Sequence, residues 1–308
     1  IYHNTDYQGL LDTLASTNTL INLSSFDKAA RNMGLDTCIK AGRYILEEGM
    51  NNKAIVRTFA NGWQKPMNFT LRGYIRSMEQ MAGYLGKRLE CDSVTFSKAL
   101  YNLSLTEELG FEPETFFGMF IPNTYEVYWT ITPEEFLRRM KKEYDIFWND
   151  SRKAKAAALK MTQDQVATLA SIVIEETKYE PEMPTIAGVY LNRLRIGMPL
   201  QADPTVIFAL NQEERVTRLL NKHLKIDSPY NTYTHKGLPP GPITIAPPVA
   251  IDAVLNPDTH GYLYFCAKET FDGQHNFAKT YSEHLKNARA YQRALTARQK
   301  AQAAGKPS

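Results

Sequence analysis

Apolar residues recur at helical spacing along most of this chain, and strict alternation is confined to short runs. Residues 6–23 and 25–33 read as two helices, the second capped by Ser24 or Ser25. Residues 39–46 alternate like a strand, 51–60 return to helical spacing and stop at Gly62, and 64–71 are extended again. Helical patterns then cover 77–89, 93–103 and 133–148, followed at 152–160 by a basic, alanine-rich stretch whose charges suit a solvated face. Thr162 and Gln165 form a capping box that opens the next helix. A second helix over 183–194 carries Pro184 in its first turn and ends at Gly197. Near the end, 262–267 reads as a buried strand, 275–281 follows it, and 282–298 reads as a helix, beyond which small and polar residues fray. The mixture predicts an α+β fold.

The stretch 166–177 is the most informative, because it is an apolar helix that runs into two adjacent carboxylates. Leu169, Ile172 and Val173 share one face, and the next position on that stripe is Glu176. Glu175 follows Thr168, Ser171 and Ile172 on a wetter side. A carboxylate on the apolar face is desolvated, which raises its pKa toward the range of a general acid at neutral pH. The plain alternative is a helix-end glutamate that snorkels to water.

Length and composition narrow the classes. A chain of 308 residues suggests two or three domains, and 43% hydrophobic residues can fill their cores. With 36 basic against 33 acidic residues, and no Lys/Arg cluster interleaved with aromatics, nucleic acid is not an expected partner. The 17 tyrosines and 14 phenylalanines suit stacking on sugars or a core equally well. Cys38, Cys91 and Cys266 cannot all pair and imply no disulfide framework; Cys266, in the 262–267 run, is expected to be an inert buried thiol. The six histidines have no metal-ligand spacing, so neither a metal nor another cofactor is expected. No run of about 18 apolar residues is present to span a membrane.

Five ordered motifs carry a specific resemblance: A-S-I-V-x-x-E-T at 170–177, N-R-L at 192–194, L-Q-A-D-P-T-V at 200–206, Y-N-T-Y at 230–233 and G-L-P-P-G-P-I at 237–243. Together they resemble the YceG-like family of membrane-anchored endolytic murein transglycosylases. In that family the glutamate directly before the threonine is catalytic, which implies Glu176 here; an earlier acidic position of the family motif is Ile174 in this chain. The stretch 116–128 resembles the family's E-G-Y-L-F-P-D-T-Y element, with Phe117 and Asn123 in place of its two carboxylates and a turn expected at Pro122, Thr124 and Tyr125. Residues 40–44 with Gly49 and Met50 resemble the LysM-like module that precedes the catalytic domain, and LysM modules bind glycans containing N-acetylglucosamine. The resemblance thus implies a LysM-like module over 1–71, a mostly helical region over 72–160, a catalytic domain over 161–298 that closes on a helix bearing His284, and a frayed tail over 299–308. It further implies an anchor in the inner membrane upstream of Ile1, a catalytic part in the periplasm, and peptidoglycan glycan strands and peptidoglycan synthases as partners.

A single glutamate restricts the chemistry. Ordinary glycosidases use two carboxylates, about 5–5.5 Å apart when retaining and farther apart when inverting. Neighbouring helix positions diverge by about 100°, so Glu175 cannot be the partner. Asp203 is the next candidate, although an Asp before Pro readily ties off its own loop. A lytic transglycosylase needs no second carboxylate, because the muramic sugar's own primary hydroxyl attacks the anomeric carbon. Candidate glycan-binding residues are Asn192, Gln201, Asp203, Thr205, Asn231, Thr232 and Tyr233 as hydrogen-bonding groups, with Tyr230 and Tyr264 as stacking platforms. Turn chemistry is the alternative for Asn231 and Thr232, and core packing for Tyr264. The prolines at 239, 240 and 242 are expected to stiffen a wall of the cleft, and the polar loops over 201–243 to supply sugar sites on both sides of Glu176. A muramidase using Asp203 and a non-catalytic glycan-binding scaffold remain the competing readings.

Overall fold

A computed structural model describes residues 1–210 and 219–304; the part of the 201–243 loops at 211–218 and the tail from 305 lie outside the described residues. The fold is α+β, with helices and two small antiparallel sheets. The chain forms two compact units, each assembled from separate segments: residues 1–71, 78–102 and 123–139 in one, and 72–77, 103–122 and 140–308 in the other.

In the first unit, α1 (Tyr7–Ser16), α2 (Leu23–Asn32) and α3 (Asn52–Asn61) enclose a core of Leu10, Leu14, Phe26, Leu35, Val56 and Phe59. The helix expected over 6–23 stops at Ser16, because Asn18 turns left-handed at φ 48°. The cap of α2 is Asn22, whose side chain accepts from Ser25 N–H at 2.9 Å, rather than Ser24 or Ser25. Helix α3 ends as expected on Gly62 in the left-handed region.

Residues 39–46 form no strand. Their burial alternates except at Ala41 and Gly42, and the backbone makes isolated bonds: Lys40 N to Phe59 O, Gly42 N to Ile1 O, Ile1 N to Gly42 O and Lys65 N to Arg43 O. The strand that does pair is β1 (Met67–Leu71) with β2 (Asn123–Val127), joining segments more than fifty residues apart in sequence. The expected turn at 122–125 is therefore part of a strand. Between them come α4 (Met78–Gly86) and α5 (Ser93–Leu100), then α6 (Leu103–Glu108) of the second unit. After β2, α7 (Pro133–Phe147) begins in the first unit, where Phe136 packs edge-on against Phe69 and Phe96.

The second unit is built around α9 (Gln163–Glu176), which packs against α8 (Asp150–Ala158), α10 (Met183–Arg195), α11 (Asp203–Leu210) and α12 (Pro248–Leu255). Thr162 and Gln165 close both arms of the capping box. Every residue from Val166 to Ile174 is buried, so α9 has no wet face along this length. Ser171 illustrates the point: its hydroxyl donates to Thr168 O at 2.7 Å and accepts from Ile243 N–H at 3.0 Å. The apolar stripe therefore does not by itself separate Glu176 from Glu175.

Two glycines allow close approaches. A Cβ on Gly188 would lie 2.7 Å from Asp258 O, and one on Gly241 would lie 1.8 Å from Glu114 O. The proline segment over 239–242 thus packs on residues 114–118 and lines neither cavity at Glu176, which corrects its expected place in the cleft wall. Phe117 is buried beside Phe120. The unit closes with the hairpin of β3 (Tyr264–Ala267) and β4 (His275–Ala278) and with α13 (Tyr281–Ala304), which stays helical past Arg298.

Candidate active site

Glu176 is the last residue of α9, and Thr177 turns the chain to extended geometry. Its side chain is half-buried, and the protein packed about its carboxyl raises its pKa to about 7 by desolvation. The hydrogen bond from Tyr190 opposes the shift, the charge of Asp203 adds to it, Arg193 opposes it and Glu175 adds weakly. Its place at a helix C-terminus, the negative end of the macrodipole, also favours the proton.

Helix α10 supplies the support. Tyr190 and Arg193 stand three residues apart, so they share a face. Tyr190 is buried, which pushes its pKa well above the usual phenol range, and its protonated hydroxyl donates to Glu176 Oε1 at 2.7 Å. Arg193 is tied to two backbone carbonyls, Leu263 O and Leu200 O, both at 2.6 Å, and lies over the ring of Tyr264. A fixed cation thus faces the cavity without forming a carboxylate pair that would hold Glu176 ionised.

Two cavities meet at Glu176. One of about 360 Å³ is lined by Glu176, Arg193, Gln201, Asp203, Tyr233 and Tyr264 among others, with Tyr281 and His284 from α13. A second of about 610 Å³ runs past Thr177, Lys178, Tyr179, Lys268, Phe271 and Tyr291. Glu176, Ala267 and His275 border both.

The structure divides the candidate ligands. Gln201, Asp203, Tyr233 and Tyr264 do line the first cavity. Asp203 opens α11 instead of tying off its loop, and accepts from the Tyr233 hydroxyl at 2.5 Å. Tyr264 is half-buried and stacks on His284, with ring centroids 5.4 Å apart. Asn192, Thr205, Asn231 and Thr232 are buried and fully engaged. Asn192 donates to His260 O and Tyr262 O, Asn231 to Leu224 O and Ile226 O, and Thr205 to Ala202 O. Thr232 accepts from Ala202 N–H at 2.9 Å. These four hold the loops in shape. Tyr230 packs on Phe208 away from the cavity, and burial pushes its pKa up to about 12.

Sequence reasoning missed Tyr190, Arg193, Phe265, His275 and Tyr281. Arg193 lay inside the N-R-L motif, and Tyr190 follows from it by helical spacing; the others carried no periodic signal. Cys266 is half-buried and faces the first cavity, so the expectation of a buried core thiol is corrected, although partial burial does push its pKa up.

Two carboxylates, Glu176 and Asp203, line the first cavity. A desolvated, half-buried carboxyl with pKa about 7 can both give and take a proton near neutral pH, while Tyr190 holds Oε1 and leaves the other oxygen free.

The sequence belongs to a defined class. The YceG-like family model matches residues 1–290, and the chain is a member of that family. It is 39% identical over 158 residues to an endolytic murein transglycosylase of Bacillus subtilis (strain 168), an alignment covering 51% of this chain and 42% of that protein. It is 26% identical over 283 residues to an endolytic murein transglycosylase of Streptococcus pneumoniae (strain ATCC BAA-255 / R6), covering 82% of this chain and 50% of that one. The chain thus aligns with half or less of the length of these curated relatives. The crystal structure of a YceG-like protein from Listeria monocytogenes superposes with a TM-score of 0.61 at 28% identity, covering 93% of this chain and 97% of that one.

Proposed function

We propose that this chain is the catalytic part of an endolytic murein lytic transglycosylase with Glu176 as its acid and base. One observation carries the reading: a carboxyl whose pKa is raised by desolvation to about 7 stands where two cavities meet. Glu176 gives its proton to the oxygen bridging N-acetylmuramic acid to N-acetylglucosamine, and the glycosidic bond breaks. As a carboxylate it then takes the proton from the muramic C6 hydroxyl as that oxygen bonds to the anomeric carbon. Glu176 ends protonated and no water is consumed. The products are a 1,6-anhydro end and a free C4 hydroxyl. Attack from within the same sugar has an entropic advantage over capture of a water.

Cavities on both sides of the acid suit a strand bound in mid-chain, hence internal cutting and a role in ending strand growth. Residues 1–71, part of the first unit, are proposed as a LysM-like glycan grip, which would raise the local concentration of strand. Among the described residues no helix is long and apolar enough to cross a membrane. An anchor preceding this segment, a periplasmic site of action and contact with peptidoglycan synthases belong to the same proposal.

Asp203 in the first cavity favours one second reading, hydrolysis of the same bond with Asp203 activating a water. Mass spectrometry of products from purified strands separates the two. Transglycosylation gives anhydro ends and hydrolysis adds one water. Early products that are mainly single anhydro-disaccharides would overturn internal cutting.

A further inference from the structure

Between the two cavities stands a side-chain pair that the proton transfer does not use. Glu182 is buried and accepts twice from one residue: from His275 Nδ1 at 2.9 Å and from His275 backbone N–H at 3.1 Å. A carboxylate at Nδ1 places the ring proton there, so Nε2 of the neutral imidazole is an acceptor. Among the described residues Nε2 has no protein partner and is not one of the enclosed polar atoms, so it opens on the space His275 lines. Phe265 stands edge-on to this imidazole at 5.5 Å and also edge-on to Tyr190, the residue that holds Glu176, at 5.9 Å. Phe265 lines the first cavity as well.

We infer that Glu182, His275 and Phe265 form a site for a 2-acetamido group on the sugar beside the scissile bond. The inference rests on the glycan reading of the cleft. An acetamido group offers an N–H donor and, a bond or two away, a methyl. Nε2 accepts from the N–H, a donor that a free 2-amine shares, and the ring of Phe265 covers the methyl, which only the acetylated sugar carries. Glu182 is the positioning residue, because it sets the tautomer and the tilt of the imidazole. The residue order Tyr190, Phe265, His275 places this site one ring away from the group that holds the acid. Recognition here favours N-acetylated over de-N-acetylated sugar.

The competing explanation is a latch, in which Glu182 merely ties its turn to β4. His275→Asn separates the two, since the amide can occupy the place of Nδ1 and keep the bond to Glu182 while Nε2 is lost. The measurement is binding of glycan oligosaccharides of one length, N-acetylated or de-N-acetylated, to the inert Glu176→Gln protein by calorimetry. Glu176→Gln should prefer the acetylated form by about 4-fold, the range of one methyl contact. Glu176→Gln/His275→Asn should bind both forms about 3- to 10-fold more weakly at unchanged melting temperature, the range of one hydrogen bond. Glu176→Gln/His275→Gln, which restores an acceptor near the place of Nε2, should regain part of the lost affinity and serves as the second variant if the first does not fold. Unchanged affinity in the folded Asn variant, or no preference in the parent, overturns the inference. Cleavage by the wild-type protein is scored separately, so loss of the transglycosylase reading and loss of this site give different results.

Discussion

The loops that follow α10 and the hairpin β3–β4 both border the candidate site, yet they handle polar groups in opposite ways. Thr205 at the start of α11 and Asn231 and Thr232 in the loop beyond it are buried, and their side chains are spent on backbone partners and on each other. In the hairpin, Tyr264, Phe265, Cys266 and His275 are only half-buried and face the cavity. A buried donor or acceptor must be paired inside the protein, so the loop polarity is used up in holding shape. The hairpin, half-open on one side, keeps groups available. Polar residues in a motif-rich loop are therefore weaker evidence of ligand contact than less conspicuous residues on a half-covered strand.

The largest expected effect comes from Glu176→Gln, which keeps the shape and removes the acid. Strand cleavage should fall by about 10²- to 10⁴-fold, the usual range for a general acid–base group. The same variant tests the burial. The folded-state pKa of Glu176 is raised to about 7 from 4.5, so its contribution to stability is present at low pH and lost as pH rises through 7. Gln carries no such penalty. Thermal melts should give nearly equal stability for variant and wild type at pH 5, and a more stable variant at pH 8, by at most roughly 3 kcal/mol. A difference that did not grow with pH would remove the desolvated-acid account.

Next come paired substitutions that set loop against cavity rim. Asn231→Ala leaves two backbone carbonyls without their donor and should cost about 1–3 kcal/mol in urea melts, while KM of the folded protein stays close to wild type. Tyr281→Ala, at a residue 59% exposed on the rim, should do the reverse. Its stability should change by less than about 0.5 kcal/mol, while KM rises severalfold. If Asn231→Ala raised KM at unchanged stability, the division drawn above would be wrong.

Tyr190→Phe removes the hydroxyl that lowers the pKa of Glu176 but keeps the ring against Phe265. The alkaline limb of kcat/KM, where the acid loses its proton, should move to higher pH. The maximal rate should fall by about 10-fold as the carboxyl loses its fixed orientation, which at about 1.4 kcal/mol is one hydrogen bond. An unmoved limb would mean that Tyr190 only packs.

Much of this arrangement was legible in the order of residues. The capping box, the α9 and α10 boundaries and the place of Glu176 at the end of α9 follow from local rules, because caps, proline and glycine act within one turn. What was not legible depends on partners distant in sequence. Residues 39–46 alternate but find no ladder, since β1 pairs with β2 instead. The stripe on α9 singled out Glu176 on an incomplete ground, because every side of α9 up to Ile174 is covered by other helices. His275 acquires meaning only once Glu182, ninety-three residues earlier in the chain, is seen to hold it.

The smallest effect concerns the neighbouring carboxylate, and here the expectation and the structure part. Glu175 was expected on a wetter side, but its side chain is only 9% exposed and is paired with Arg76 at 2.6 Å. Arg76 itself is 48% exposed, so the pair is screened and its contribution to stability is below about 1 kcal/mol. Glu175→Gln keeps a hydrogen-bonding oxygen toward Arg76 and removes one negative charge near Glu176. That charge is the weakest of the influences raising the pKa of Glu176. The alkaline limb should therefore move slightly to lower pH, opposite to Tyr190→Phe, with most activity kept at neutral pH. The two limbs moving apart is the sharpest check on how α9 ends, since one variant removes a donor from the acid and the other a like charge beside it. A large loss of activity in Glu175→Gln at an unmoved limb would place Glu175 in the reaction itself and undo the assignment of a single acid.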